Sequence, residues 1–132
     1  MTRREAREQS FIIIFEKSFH EDLTVEEIIE FAKENNVFAA DTYSVQLCEK
    51  TYENIDKIDS LIKENLKGWT YSRVSKVAKA FLRMAVCELL FSEDVPAGAA
   101  INEAVELAKT YASDEEPAFI NGVLGSVAKG LQ

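Results

Sequence analysis

Apolar residues recur along this chain at the spacing of an α-helix almost from end to end. Phe11, Ile14, Phe15 and Phe19 fall at i, i+3, i+4 and i+8, which predicts a first helix over residues 3–19. Ile12 and Ile13 widen its apolar face, as a deeply buried helix or a contact surface would. Thr24-Val25-Glu26-Glu27 has the capping-box pattern, so a second helix starts there, turns Ile28, Phe31 and Ala32 inward, and stops near Asn35 and Asn36. Asp41 can cap the next segment, with Val45, Cys48 and Tyr52 and then Ile55, Ile58, Leu61, Ile62 and Leu66 as its inner stripe. That segment is long enough to break near Asn54, and Gly68 is placed to end it in a left-handed conformation. Ser72 is the expected cap of a helix reaching Phe91, with Val74, Val77, Ala78, Phe81, Leu82, Ala85 and Leu89 inside. Asp94-Val95-Pro96 forms a turn into a helix over residues 97–112. Pro117 suits the first turn of a last helix to about residue 129, because its missing N–H has no helical partner there.

Composition supports this reading. Five glycines and two prolines leave little turn chemistry for strands. A chain of 132 residues with 47% apolar residues can fill one core, so a single all-α domain over residues 1–132, with about seven helices, is expected. No apolar stretch approaches the ~18 residues of a membrane span, and the charged start lacks a signal-peptide core, which points to the cytoplasm and away from membranes. Cys48 and Cys87 are far apart in sequence with no CxxC pattern, and read as buried free thiols.

Candidate catalytic chemistry is thin. His20 is the only histidine, and the chain carries no nucleophile–base motif, phosphate loop or metal-ligand spacing. Neither an enzyme nor a cofactor or metal site is expected. The net charge of −8 argues against non-specific nucleic-acid binding by the whole surface, so local clusters matter more. Residues 67–83 hold five basic residues and no acidic one. Arg73, Lys76, Lys79 and Arg83 share an arc of roughly 120° on a helical wheel. Arg3, Arg4 and Arg7 gather on one side of the first helix at i, i+3 and i+4 spacing. Each cluster reads as a set of phosphate contacts or as an ordinary solvated face.

Residues 94–124 read DVPAGAAINEAVELAKTYASDEEPAFINGVL. With VAKAFLRMAVCEL upstream and the RREARE start, this segment resembles the NusB family of transcription antitermination proteins. The resemblance implies an all-α bundle of about seven helices in two small subdomains. It also implies pairing with the ribosomal protein NusE, binding of boxA RNA in ribosomal RNA leader transcripts, and entry into an RNA polymerase antitermination complex. Arg3, Arg4 and Arg7 match the family's arginine-rich start, and Tyr111, Glu115 and Phe119 fall where the family approaches RNA. Lys76 and Lys79 join them as candidate RNA contacts.

Aromatic rings can stack on unpaired bases and a carboxylate can accept from base amino groups. Phe119 also fits ordinary core spacing with Ile120, Val123 and Leu124, and Tyr111 could simply cover its helix end. Asn102, Glu103, Asn121 and Gly122 are read as structural, with Gly122 marking a close helix approach and the asparagines tying the DVP turn or the polar loop. Ala78, Phe15, Cys87, Glu115 and Glu116 depart from the family pattern, and Ala78 stands at a position associated in the family with the partner and RNA surface. The alternatives are a protein–protein module, homodimeric through Ile12 and Ile13, and a domain serving an RNA methyltransferase on another chain.

Overall fold

A computed structural model describes residues 1–36 and 41–132. Among them are seven α-helices and one short 3₁₀ turn, with no strand: α1 (Arg3–Lys17), α2 (Val25–Glu34), α3 (Thr42–Glu53), α4 (Ile55–Glu64), the turn Tyr71–Arg73, α5 (Lys76–Phe91), α6 (Ala97–Tyr111) and α7 (Glu116–Gly130). The all-α class and the helix number agree with the sequence reading.

Local chemistry explains four of the helix starts among the described residues. Thr2 and Thr24 each build a full capping box, with Glu5 and Glu27 reaching back to the cap N–H. Asp41 accepts from the Ser44 N–H and starts α3. The break expected near Asn54 lies there, between α3 and α4. Two end signals differ from expectation. Ser75, not Ser72, caps α5 by accepting from the Ala78 N–H, and Ser72 lies in the 3₁₀ turn. Gly68 has φ +93°, but α4 has already ended at Glu64; Lys67 and Gly68 together turn the chain with positive φ.

Helix α5 lies at the centre. Phe81, Leu82, Met84, Ala85, Val86 and Cys87 on it are fully buried. It packs against α1, α3, α4, α6 and α7. Helices α1, α2 and α3 contact one another, as α6 and α7 do, so the two helix groups meet along α5. Phe11 stacks on Phe81 with ring centroids 3.9 Å apart, which locks α1 to α5.

Two predicted inward residues face out. Phe31 is 67% exposed, and Ile28, Ile29 and Ala32 form the buried side of α2 instead. Phe19 lies beyond the end of α1, is 55% exposed, and touches Phe15 edge-on. Cys48 and Cys87 are free and buried, as expected. No helix among the described residues is long and apolar enough to cross a membrane.

Candidate nucleic-acid interface

The capping box at Thr2 fixes where α1 begins, and therefore where its arginines project. The three arginines have three different fates. Arg3 is exposed, with its guanidinium 3.8 Å above the Tyr43 ring. Arg4 makes a two-pronged pair with Glu103 on α6, at 2.7 and 3.0 Å. Arg7 is buried at 5% exposure, and its Nε lies 2.8 and 3.0 Å from the two oxygens of Glu88, itself 1% exposed. Burial penalises the Arg7 charge, but the hydrogen bonds and field of Glu88 outweigh it and raise the Arg7 pKa. Arg7 is thus inside the protein, while Arg3 and Arg4 are exposed. It holds the first turns of α1 against α5. Glu88 also accepts from the Tyr43 hydroxyl, so one buried carboxylate fixes both Arg7 and the ring beneath Arg3.

Tyr111 ends α6 beside the same helix. Its hydroxyl donates to Glu8 at 2.6 Å, which, with partial burial, pushes its pKa up to about 12. Its ring lies 4.9 Å from Phe11, and the residue remains 39% exposed. One side of the Tyr111 ring thus covers the core, and the rest faces solvent.

Glu115 and Phe119 belong to a separate cleft of ≈ 120 Å³, which Trp69, Arg73 and Ala78 also line. Trp69 is 59% exposed and its ring lies 5.1 Å from that of Phe119 at a 58° tilt. Sequence reasoning missed Trp69. It sits in the irregular link between α4 and α5, where no periodicity singles it out; only its being the lone tryptophan could have drawn notice. Phe119 is half-buried, while Ile120, Val123 and Leu124 behind it are core. Ala78 is 1% exposed on the floor of this cleft, so it offers no side chain to a partner.

Glu116 does not extend the charge of the loop outward. Its carboxylate accepts from the Ser113 N–H and hydroxyl, both at 3.0 Å, and from the Ser75 hydroxyl. Partial burial opposes its ionisation, yet these bonds hold its pKa below the usual carboxylate value. It joins the start of α7 to the cap of α5.

Lys76 and Lys79 form a third cluster. Lys76 donates to the Ser18 carbonyl at 2.9 Å and lies 4.5 Å from the Phe19 ring. Lys79 lies 4.4 Å from the Tyr71 ring; partial burial and the nearby Arg83 charge lower its pKa. Arg83 makes a two-pronged pair with Asp59 at 2.9 and 3.0 Å. The basic arc read from the sequence is thus partly neutralised, and Arg73 lies in the turn before α5 rather than on its face.

The motif residues fare unevenly. Glu103 is tied to Arg4, in line with a structural role. Gly122 is exposed, and a Cβ there would meet nothing within 4 Å, so no close helix approach explains it. Asn102 and Asn121 are exposed as well, and the polar loop is tied by Glu116 in their place.

A model of the NusB family matches residues 4–129. The chain belongs to the NusB family. The transcription antitermination protein NusB of Exiguobacterium sp. is 43% identical over 129 residues, covering 98% of each chain. NusB of T. maritima has the same fold, with a TM-score of 0.88 and 34% identity over 98% of this chain and 92% of that one. A crystal structure of the antitermination factors NusB and NusE in complex with double-stranded RNA also matches, with a TM-score of 0.83 and 27% identity over 97% of this chain and 96% of that one. NusB proteins are transcription antitermination factors, not enzymes.

Proposed function

We propose that this NusB-family chain pairs with NusE, and that the pair binds boxA RNA in ribosomal RNA leader transcripts as part of the RNA polymerase antitermination complex. The observation that carries this reading is the set of exposed cationic groups beside aromatic rings, at helix ends and in the link between α4 and α5. Arg3 lies above Tyr43, Arg4 borders α6, Tyr111 lies along the same α1–α6 seam, and Trp69 with Phe119 flanks Arg73. Single-stranded RNA is gripped by such a combination, in which guanidinium groups meet phosphates and aromatic rings meet splayed bases. The relative crystallised with NusE and RNA supports the same partners.

In this reading Arg3 and Arg4 contact phosphate, and Arg7 positions them from below. Phe119 and Trp69 offer stacking surfaces, and Tyr111 offers the exposed part of its ring. Glu115, exposed at the rim of their cleft, accepts from a base amino group. Lys76 and Lys79 add positive potential at the start of α5. The whole of residues 1–132 acts as one domain in the cytoplasm.

Fluorescence anisotropy of labelled boxA RNA, with and without NusE, tests this reading. Tighter binding in the presence of NusE, and weaker binding of a scrambled RNA, is the expected result. Equal affinity for both RNAs, unaffected by NusE, would overturn it.

A further inference from the structure

The chain has two strongly acidic stretches: residues 93–116, with a net charge of −6, and residues 16–34, where seven acidic residues and two lysines give −5. The latter stretch surrounds an apolar groove of ≈ 420 Å³ between α1 and α2. Ile12, Ile13, Leu23, Ile28 and Phe31 form most of its wall, with Glu16 and Glu27 at its edges. Phe31 is the telling member, a phenylalanine left 67% exposed on an otherwise amphipathic helix.

At about 100° per residue, Ile12, Ile13 and Glu16 lie roughly 120° around α1 from the side that carries Arg4, Glu8, Phe11 and Phe15. The groove is thus separate from the proposed RNA-binding edge.

We propose that this groove is a docking site for a cationic amphipathic helix of a protein partner. An apolar trough along a helix pair is the shape that receives the apolar stripe of a third helix. Helix α2 has 10 residues and so offers about 15 Å, or near three turns, of contact. The acidic border selects the charge of the occupant. A lysine- or arginine-flanked stripe would meet Glu16 and Glu27, and the exposed Glu26 would extend the attraction. The same border disfavours the other occupants. A second copy docked symmetrically would set one acidic edge against its equal, and RNA or an anionic lipid surface would be repelled.

The test is a titration of the isotopically labelled protein, followed by amide chemical shifts, with a synthetic amphipathic helix made of leucine and lysine. Shifts should concentrate at Ile12, Ile13, Leu23, Ile28 and Phe31. Phe31→Ala should weaken binding by about tenfold, as loss of a central aromatic anchor does. Because Phe31 is exposed, this variant keeps its fold, which far-UV circular dichroism verifies. Glu16→Gln with Glu27→Gln should weaken binding several-fold, while the control pair Glu53→Gln with Asp56→Asn changes nothing. A leucine–glutamate peptide should not bind. The proposal is overturned if shifts fall on α5 to α7, if Phe31→Ala binds like the parent, or if the control pair weakens binding equally. It is also overturned if sedimentation shows self-association that Phe31→Ala abolishes, since the occupant is then a second copy.

Discussion

Arg7 and Glu88 are 81 positions apart in sequence, yet the Arg7 Nε donates to both Glu88 oxygens, at 2.8 and 3.0 Å, in the interior of the protein. This pair decides what the arginine-rich start can do. It pins α1 to α5, and through Tyr43 it also fixes the ring on which Arg3 rests. Removing one partner leaves a buried uncompensated charge, so Glu88→Ala or Arg7→Ala should each cost about 3–5 kcal/mol in urea unfolding. The double replacement Arg7→Met with Glu88→Leu should cost much less than the two single changes combined. Equal and additive losses would show that the pair does not act as a unit.

Gly122 leads to the opposite expectation. It is exposed within α7 with open space where a Cβ would sit. Gly122→Ala should therefore raise stability by about 0.5–1 kcal/mol, the helix-propensity difference between the two residues. A loss of stability in thermal or urea unfolding would contradict this. If NusE or RNA affinity falls while stability rises, the glycine serves a contact and not the fold.

The two thiols should be inert in the folded protein. Burial pushes the Cys48 thiol up to about 12 and the Cys87 thiol up to about 11, so neither is a thiolate near neutral pH. A thiol reagent should react slowly with the native protein and promptly with both cysteines once it is unfolded in denaturant. Rapid native reaction at either site would refute the packing described for α3 and α5.

The Glu116 carboxylate links pH to stability. Its folded pKa lies below the ordinary value of 4.5, so its contribution is fully present above that value and is lost as pH falls through the folded pKa. Glu116→Gln should lower stability at neutral pH, with the difference from the parent shrinking in acid. Urea midpoints measured across the acid range check this, and a pH-independent difference would show that the bonds to Ser75 and Ser113 do not depend on the charge.

Helical class, helix number and the breaks at Asn54 and the DVP turn are legible in the sequence because they are local, arising from periodicity, caps and turn residues within a few positions of one another. The cap of α5 is not, because Ser72 and Ser75 both precede the same apolar stripe, and only the backbone path through Tyr71–Arg73 separates them. On α2, both Phe31 and Ile29 flank the stripe defined by Ile28 and Ala32, and packing against α1 and α3 selects Ile29. The site is harder to read. That Arg7 is buried depends on an acid 81 positions away, and Trp69 gains meaning only from the Phe119 ring beside it. Tertiary neighbours of this kind leave no mark on local spacing.

The exposed arginines of α1 are proposed to grip RNA phosphate when the chain is paired with NusE. The most direct test is the salt dependence of boxA RNA affinity for the NusE-bound chain and for its Arg3→Ala, Arg4→Ala variant. Every phosphate no longer neutralised should flatten the log–log slope by about 0.7 on single-stranded RNA, so the variant should bind more weakly with a slope shallower by roughly 1 to 1.5. An unchanged slope, with Arg3 and Arg4 replaced and the fold intact, would contradict the account.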